Sequence, residues 1–142
     1  MAKFDNGHWL FPNQMGNGIG FVYAIYDRVL NKFYIGKKIY RSLRGLRKGK
    51  ETDWRKYKSS SPLLEIHFKA RPIKEFSFYC LEEYHTKSGL AYAETWTLCI
   101  SQAPLSDAFY NKRIEGISFK VKEPISERHM ARLEKLLERI KQ

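Results

Sequence analysis

The sequence predicts an α+β domain: a small three-stranded, mainly antiparallel sheet flanked by helices, with one more helix at the C-terminus. Three observations carry that expectation. Two runs rich in β-branched and aromatic residues, 21–26 and 32–35, stand either side of a polar turn. A third run, 76–81, alternates apolar and polar residues. Helix-capping residues at Ser61, Ser88 and Ser126 open the segments around these runs.

Residues 1–19 are rich in Gly and Asn and read as a flexible N-terminal arm, whose aromatic piece, His8 to Phe11, pins one hydrophobic patch. Gly16 to Gly20 looks like a phosphate loop, but it precedes a strand instead of following one, so no nucleotide site is expected. Phe21–Tyr26 and Lys32–Ile35 pair as a hairpin across the turn 27–31, with Gly36 ending the second strand. The piece from Arg41 to Lys48 is helix-compatible, shortened by Gly45 and Gly49. Ser61-Pro62 starts a helix with Leu63, Ile66 and Ala70 on its apolar face, and Pro72 stops it. Ser88 starts another, running to about Ser101 with Leu90, Ala93, Thr97 and Leu98 inward. Ser106 or Asp107 caps a turn before Asn111. Ser126 caps the last helix, with Ile125 and Met130 as a hydrophobic staple and a stripe of Met130, Leu133, Leu137 and Ile140. Cys80 and Cys99 read as small core residues, and the four histidines as structural or surface groups.

Composition narrows the function. The 142 residues hold 26 Lys plus Arg against 15 Asp plus Glu, a formal charge of +11. Of this, residues 37–58 supply +8, from ten basic and two acidic side chains. Residues 120–142 supply +3, from seven basic and four acidic. Charge concentrated in this way, with Trp54 and Tyr57 inside it, points to a phosphate backbone as partner. No apolar run approaches the ~18 residues of a membrane span, so no membrane partner is expected. No signal peptide is visible, and a cytoplasmic location follows as an expectation. Two cysteines without CxxC spacing indicate neither a disulfide framework nor a zinc knuckle.

The hairpin then carries a motif. Phe21-Val22-Tyr23, ten residues, and Tyr34-Ile35-Gly36 resemble the signature of the GIY-YIG nucleases, with Phe-Val-Tyr in place of Gly-Ile-Tyr and Gly20 one place early. Arg44, Glu94 within an apolar helix, and Asn111 follow in the order of the family pattern. Asp53-Trp54-Arg55-Lys56-Tyr57, continuing to Ser61, is similar to an Asp-Trp-x-x-Tyr-x-x-Ser-Ser element of phage-type members, with Lys58 where that element carries Gly. The resemblance implies a nuclease domain over 20–117, preceded by the arm and followed by a basic C-terminal helix over 118–142.

It also implies a chemistry. Phosphodiester hydrolysis needs an activated water, a stabilised pentavalent phosphate and a protonated leaving oxygen. By resemblance, Tyr23 is the general base or water-positioning group and Tyr34 orients water or phosphate. Arg44 holds the non-bridging oxygens, and its rivals for that role are Arg41, Arg47 and Arg55. Glu94 ligates one Mg²⁺ or Mn²⁺ per active site. Asn111 positions Glu94 or braces the site, and Lys37 assists charge neutralisation. Lys37, Lys38 and Arg44 are expected to favour the phenolate form of the tyrosines.

The expected substrate is double-stranded DNA, contacted by Lys38, Arg41, Arg47, Lys48, Arg55, Lys56, Ser59 and Ser60. The enzyme is then a homing-type or other phage or mobile-element nuclease, in the host cytoplasm if phage-encoded. The apolar stripe of the last helix either packs on its own domain or forms the seam of a homodimer. The alternative readings are a nucleic-acid-binding module that keeps the nuclease fold without catalysis and, more weakly supported, a regulator that binds an acidic protein.

Overall fold

The computed structural model describes residues 5–112 and 123–140. Strand β1 (Trp9–Leu10), β2 (Gly20–Asp27), β3 (Lys32–Ile39) and β4 (Phe76–Tyr84) form one sheet in the order β1-β4-β2-β3. The hairpin pairs antiparallel from Gly20↔Ile39 to Asp27↔Lys32. Its turn is fixed by Asp27, whose Oδ1 accepts from the backbone N–H of Val29 at 3.1 Å and Leu30 at 3.0 Å. Asn31 takes the left-handed conformation there (φ 55°), a role its short polar side chain tolerates. β4 runs antiparallel along the other side of β2, with a bulge at Leu81 between the pairs Val22↔Glu82 and Tyr23↔Cys80.

The sheet has four strands where three were expected. The extra one comes from the N-terminal segment: β1 pairs parallel to β4, Trp9 is buried, and its Nε1 donates to the Trp54 carbonyl at 2.6 Å. Two residues are too few for any periodicity to announce them.

Helix α1 (Pro62–Ala70) covers one face of the sheet, over Trp9, Phe21, Tyr23, Ile25, Trp54 and Phe78. Helices α2 (Lys87–Ile100) and α3 (Glu127–Ile140) cover the other, over Val22, Ala24, Ile35, Leu81 and Tyr84. β2 is central and buried on both faces, which is why 21–25 is an unbroken apolar run.

Several expectations change in detail. Gly36 does not end β3; the strand continues to Ile39. The basic piece 41–48 holds only a 3-10 turn at Gly45–Arg47. α1 starts as expected, its Ser61 hydroxyl accepting from Leu64 N at 3.2 Å, but turns Leu64 and Phe68 inward. Leu63 and Ile66 face solvent, because the Phe68 ring takes the core position against Phe76 and Phe78. α2 is capped by Thr86, which accepts from Gly89 N, and not by Ser88. Its expected inward residues are the buried ones.

In α3 the Ser126 cap is present, accepting from His129 N at 3.0 Å. The buried residues are His129, Leu133 and Leu136, Ile125 and Leu137 are half-buried against the same core, and Met130 is exposed. Leu133 and Leu136 are buried in the domain's own core. Cys80 is buried, whereas Cys99 is exposed. The boundary expected at 117–118 and the Ile140 side chain lie outside the described residues.

Candidate active site

β3 is the edge strand of the sheet, so side chains from both faces reach the same edge. Alternation along β3 sets Tyr34, Gly36 and Lys38 on the α1 face and Ile35 and Lys37 on the α2 face. Tyr23 pairs directly with Gly36, while Tyr34 pairs with Ile25, so the two tyrosines are diagonal neighbours on one face. Their ring centroids are 6.2 Å apart. A Cβ on Gly36 would stand 2.5 Å from Tyr23 Cζ and closer still to its hydroxyl. The glycine therefore lets the Tyr23 phenol lie across β3 toward the edge.

A cavity of about 410 Å³ opens at that edge. It is lined by both tyrosines, Gly36, Lys37, Lys38, Ser60, Glu94 and Asn111, among others. On the α2 face, Lys37 Nζ meets Glu94 Oε1 at 3.0 Å. The sequence offers Glu94 no obvious partner; the fold supplies this one across 57 residues. Among the described residues, Glu94 Oε2 takes no hydrogen bond. On the tyrosine face, Lys38 Nζ sits 4.0 Å from the Tyr57 ring centroid and 3.0 Å from Asp53 Oδ1. The Asp-Trp-x-x-Tyr element thus backs the cavity from behind Lys38: Asp53 and Tyr57 hold that lysine, and Trp54 anchors the segment in the core. The left-handed residue near its end is Ser59 (φ 95°), not Lys58.

Asn111 is buried and reads like one more strand residue. Its Oδ1 accepts from Ile35 N and its Nδ2 donates to Ile35 O, both at 2.8 Å. Together with Phe33 N to Ala108 O (2.8 Å) and Tyr110 N to Phe33 O (2.7 Å), it closes the outer edge of β3. Ala108 N donates in turn to Ser106 Oγ, the turn cap expected from the sequence.

The electrostatics correct one expectation. Burial pushes the Tyr23 phenol well above its ordinary range, and Tyr57, Tyr34 and Glu94 push it further. Burial also raises Tyr34, against an opposing contribution from the Ser60 hydroxyl. Both phenols therefore stay protonated at neutral pH, with burial as the largest cause.

Not every expected residue reaches the cavity. Arg44 is exposed and lies outside its lining, as do Arg41, Arg47, Lys48, Arg55, Lys56 and Ser59. Arg55 is held by Glu51 and Asp5, and Arg41 by the Gly49 carbonyl at 2.9 Å. Three arginines of α3 brace the sheet: Arg128 grips Glu82, Arg132 donates to Leu81 O, and Arg139 donates to Tyr79 Oη. Gly16 N and Asn17 N both donate to Glu83 Oε2 at 2.9 Å, so the glycine-rich run grips a carboxylate and not a phosphate.

A family model described as "Putative endonuclease segE, GIY-YIG domain" matches residues 5–114. The chain belongs to the GIY-YIG endonuclease family. No curated protein and no solved structure matches it. The GIY-YIG match includes β1, the hairpin, the Asp-Trp element, α2 and Asn111, and so contains every residue that lines the cavity. Membership makes this a nuclease domain with DNA as its substrate, in a family that is generally dependent on divalent metal. No helix among the described residues is long and apolar enough to cross a membrane.

Proposed function

We propose that the chain is a divalent-metal-dependent DNA endonuclease and that the cavity at the β3 edge is where it hydrolyses the phosphodiester bond. One observation carries this reading. Two protonated phenols, two lysines and a single carboxylate converge on one open cavity from both faces of an edge strand.

The donor set fits Mg²⁺ or Mn²⁺. Among the described residues no three His, Cys, Asp or Glu side chains gather into a protein-built cage. A lone carboxylate facing an open cavity suits a hard ion that keeps most of its waters and takes phosphate oxygens from the substrate. Glu94 would hold it, through the oxygen that Lys37 leaves unused or by displacing Lys37 from the other. The ion supplies Lewis-acid stabilisation of the phosphate and a more acidic bound water.

The chain's own residues do the rest. Tyr23 keeps its proton and donates a hydrogen bond from Oη, positioning water or a phosphate oxygen; with its high pKa it does not begin as a base. Tyr34 does the same from the next strand, steadied by Ser60. Lys37 and Lys38 neutralise the phosphate as two compact charges either side of β3, where the sequence pattern pointed to Arg44. Asn111 is a positioning residue: it fixes Ile35, and with it the run from Tyr34 to Lys37. Arg44, Arg47, Lys48 and Lys56 contact the backbone of the same duplex away from the reacting phosphate.

The test uses supercoiled plasmid with Mg²⁺ or Mn²⁺, with EDTA, and with a parallel binding assay. Metal-dependent nicking or linearisation, with salt-sensitive binding surviving in EDTA, is the expected result. Salt-sensitive binding with no cutting in any metal would replace this reading with a non-catalytic binding module.

A further inference from the structure

The basic segment that follows β3 carries an apolar residue at its tip. Arg41 and Glu51 form an antiparallel bridge, Ser42 N donates to Lys50 O at 2.9 Å, and Gly49 N to Ser42 O at 2.8 Å. These bonds close a narrow hairpin-like projection from the end of the strand that lines the site. Its tip is the 3-10 turn Gly45-Leu46-Arg47, held by Lys48 N to Gly45 O at 3.2 Å. Gly45 (φ 75°) and Gly49 (φ 83°) adopt conformations that favour glycine, and a Cβ at either position would meet nothing within 4 Å.

Leu46 is 101% exposed, the most exposed of the large hydrophobic side chains described. The same projection carries Arg41, Arg44, Arg47, Lys48 and Lys50, all exposed. A leucine fully in water gains nothing for the fold. Five cations on so short a projection favour a polyanion over an apolar partner. An apolar side chain among cations matches one mode of DNA contact: the cations hold phosphates while the apolar group enters between base steps from the minor groove and partly unstacks them.

We propose that Leu46 is a wedge that inserts into the minor groove and kinks the DNA next to the cut site. This rests on the nuclease reading above. Leu46 follows Lys37 by nine residues, a reach of at most about 30 Å of extended chain. Even that upper bound lies within one ~34 Å turn of a duplex whose reacting phosphate lies at the cavity. The wedge favours flexible pyrimidine–purine steps, which are the easiest to unstack. It therefore supplies a preference at positions where the protein reads no base edge.

The experiment uses short duplexes carrying 2-aminopurine at TA steps, bound in EDTA so that no cutting occurs, together with plasmid cleavage in Mg²⁺. Leu46→Ala removes no packing, so the variant folds. The wild type is expected to raise 2-aminopurine fluorescence several-fold at saturation, and Leu46→Ala to remove most of that rise with its salt slope unchanged. Arg47→Ala should lower the salt slope by about one while keeping the fluorescence rise at saturation. A Leu46→Ala protein that gives the wild-type fluorescence rise and cleavage pattern overturns the wedge and leaves the nuclease reading standing. A wild type that neither binds nor cuts DNA overturns both.

Discussion

The phenol of Tyr23 occupies the space that a side chain on Gly36 would need. The two residues face each other across the central ladder of the hairpin, Tyr23↔Gly36. The last letter of one half of the motif is thus a vacancy made for the last letter of the other. This is a packing reason for a tyrosine and a glycine at that spacing, and it sets the direction in which the phenol points.

Gly36→Ala should therefore act through Tyr23. The added methyl forces the phenol or the strand to move, at a cost of about 1–3 kcal/mol in stability. Cleavage should fall by ~10²-fold, because a catalytic group displaced by about 1 Å loses that much. Urea unfolding and plasmid cleavage measure the two effects, and DNA binding in EDTA should stay near wild type.

Lys37→Met separates two roles of one lysine. Removing the cation frees Glu94 Oε1, so the metal concentration giving half-maximal activity should fall. Turnover should also fall, by ~10²-fold, through the lost charge at the phosphate. A metal titration of the cleavage rate reads both numbers. An unchanged metal midpoint would mean that the ion pair does not compete with the metal.

Asp27 is the electrostatic anchor of the hairpin. It is fully buried, gripped by Arg71 through two bonds of 2.7 Å and by Tyr110 Oη at 2.6 Å. Burial alone would raise its carboxyl, but the Arg71 and Tyr110 hydrogen bonds outweigh it and hold the group well below the usual carboxylate range. A depressed carboxylate contributes stability above its unfolded pKa, near 3.9, and loses it as pH falls toward the folded value. Asp27→Asn should cost about 1–3 kcal/mol at neutral pH, since Arg71 loses one of its two carboxylate partners and keeps Glu75 at 2.7 Å. Chemical denaturation at neutral and strongly acidic pH checks both the size and the window.

His129 produces a second, separate acid transition. Its Nε2 lies 2.9 Å from Thr97 Oγ1 and its Nδ1 2.8 Å from Tyr84 Oη. The Thr97 hydroxyl already donates to Ala93 O, so it accepts from Nε2–H, and Tyr84 donates to Nδ1. That is a neutral imidazole, and burial pushes its pKa down to about 4. The unfolded side chain titrates near 6.5, so between ~6.5 and ~4 the unfolded chain binds the extra proton. Stability is full above that window and falls through it by about 3 kcal/mol. Urea midpoints measured across this range should show the decline; a flat profile there would refute the assignment.

The parts of this molecule that announced themselves in the sequence are those with a local signature. The hairpin strands, the Ser61-Pro62 start of α1, the inward residues of α2 and the pair Tyr23 and Tyr34 all rest on spacing or on chemistry within a few residues. What stayed hidden depends on contacts between distant residues. β1 forms because Trp9 finds Trp54, and Lys37 finds Glu94 only once α2 lies on the sheet. α3 turns His129 inward in place of Met130 because Tyr84 and Thr97 offer it both hydrogen bonds. The arginine is a case of the same kind: spacing picks out Arg44, which the fold leaves exposed and outside the cavity lining, while strand alternation delivers Lys37 and Lys38 to it. The high pKa of Tyr23 is a property of burial, which composition does not show.

The most direct test of the account compares wild type and Glu94→Gln on supercoiled plasmid in Mg²⁺. Gln keeps the size of the side chain and removes the charge that would hold the metal. The account predicts metal-dependent cutting by the wild type and a loss of at least ~10²-fold in Glu94→Gln, with DNA binding in EDTA retained. Cutting by Glu94→Gln at the wild-type rate, or wild-type cutting that continues in EDTA, would contradict it.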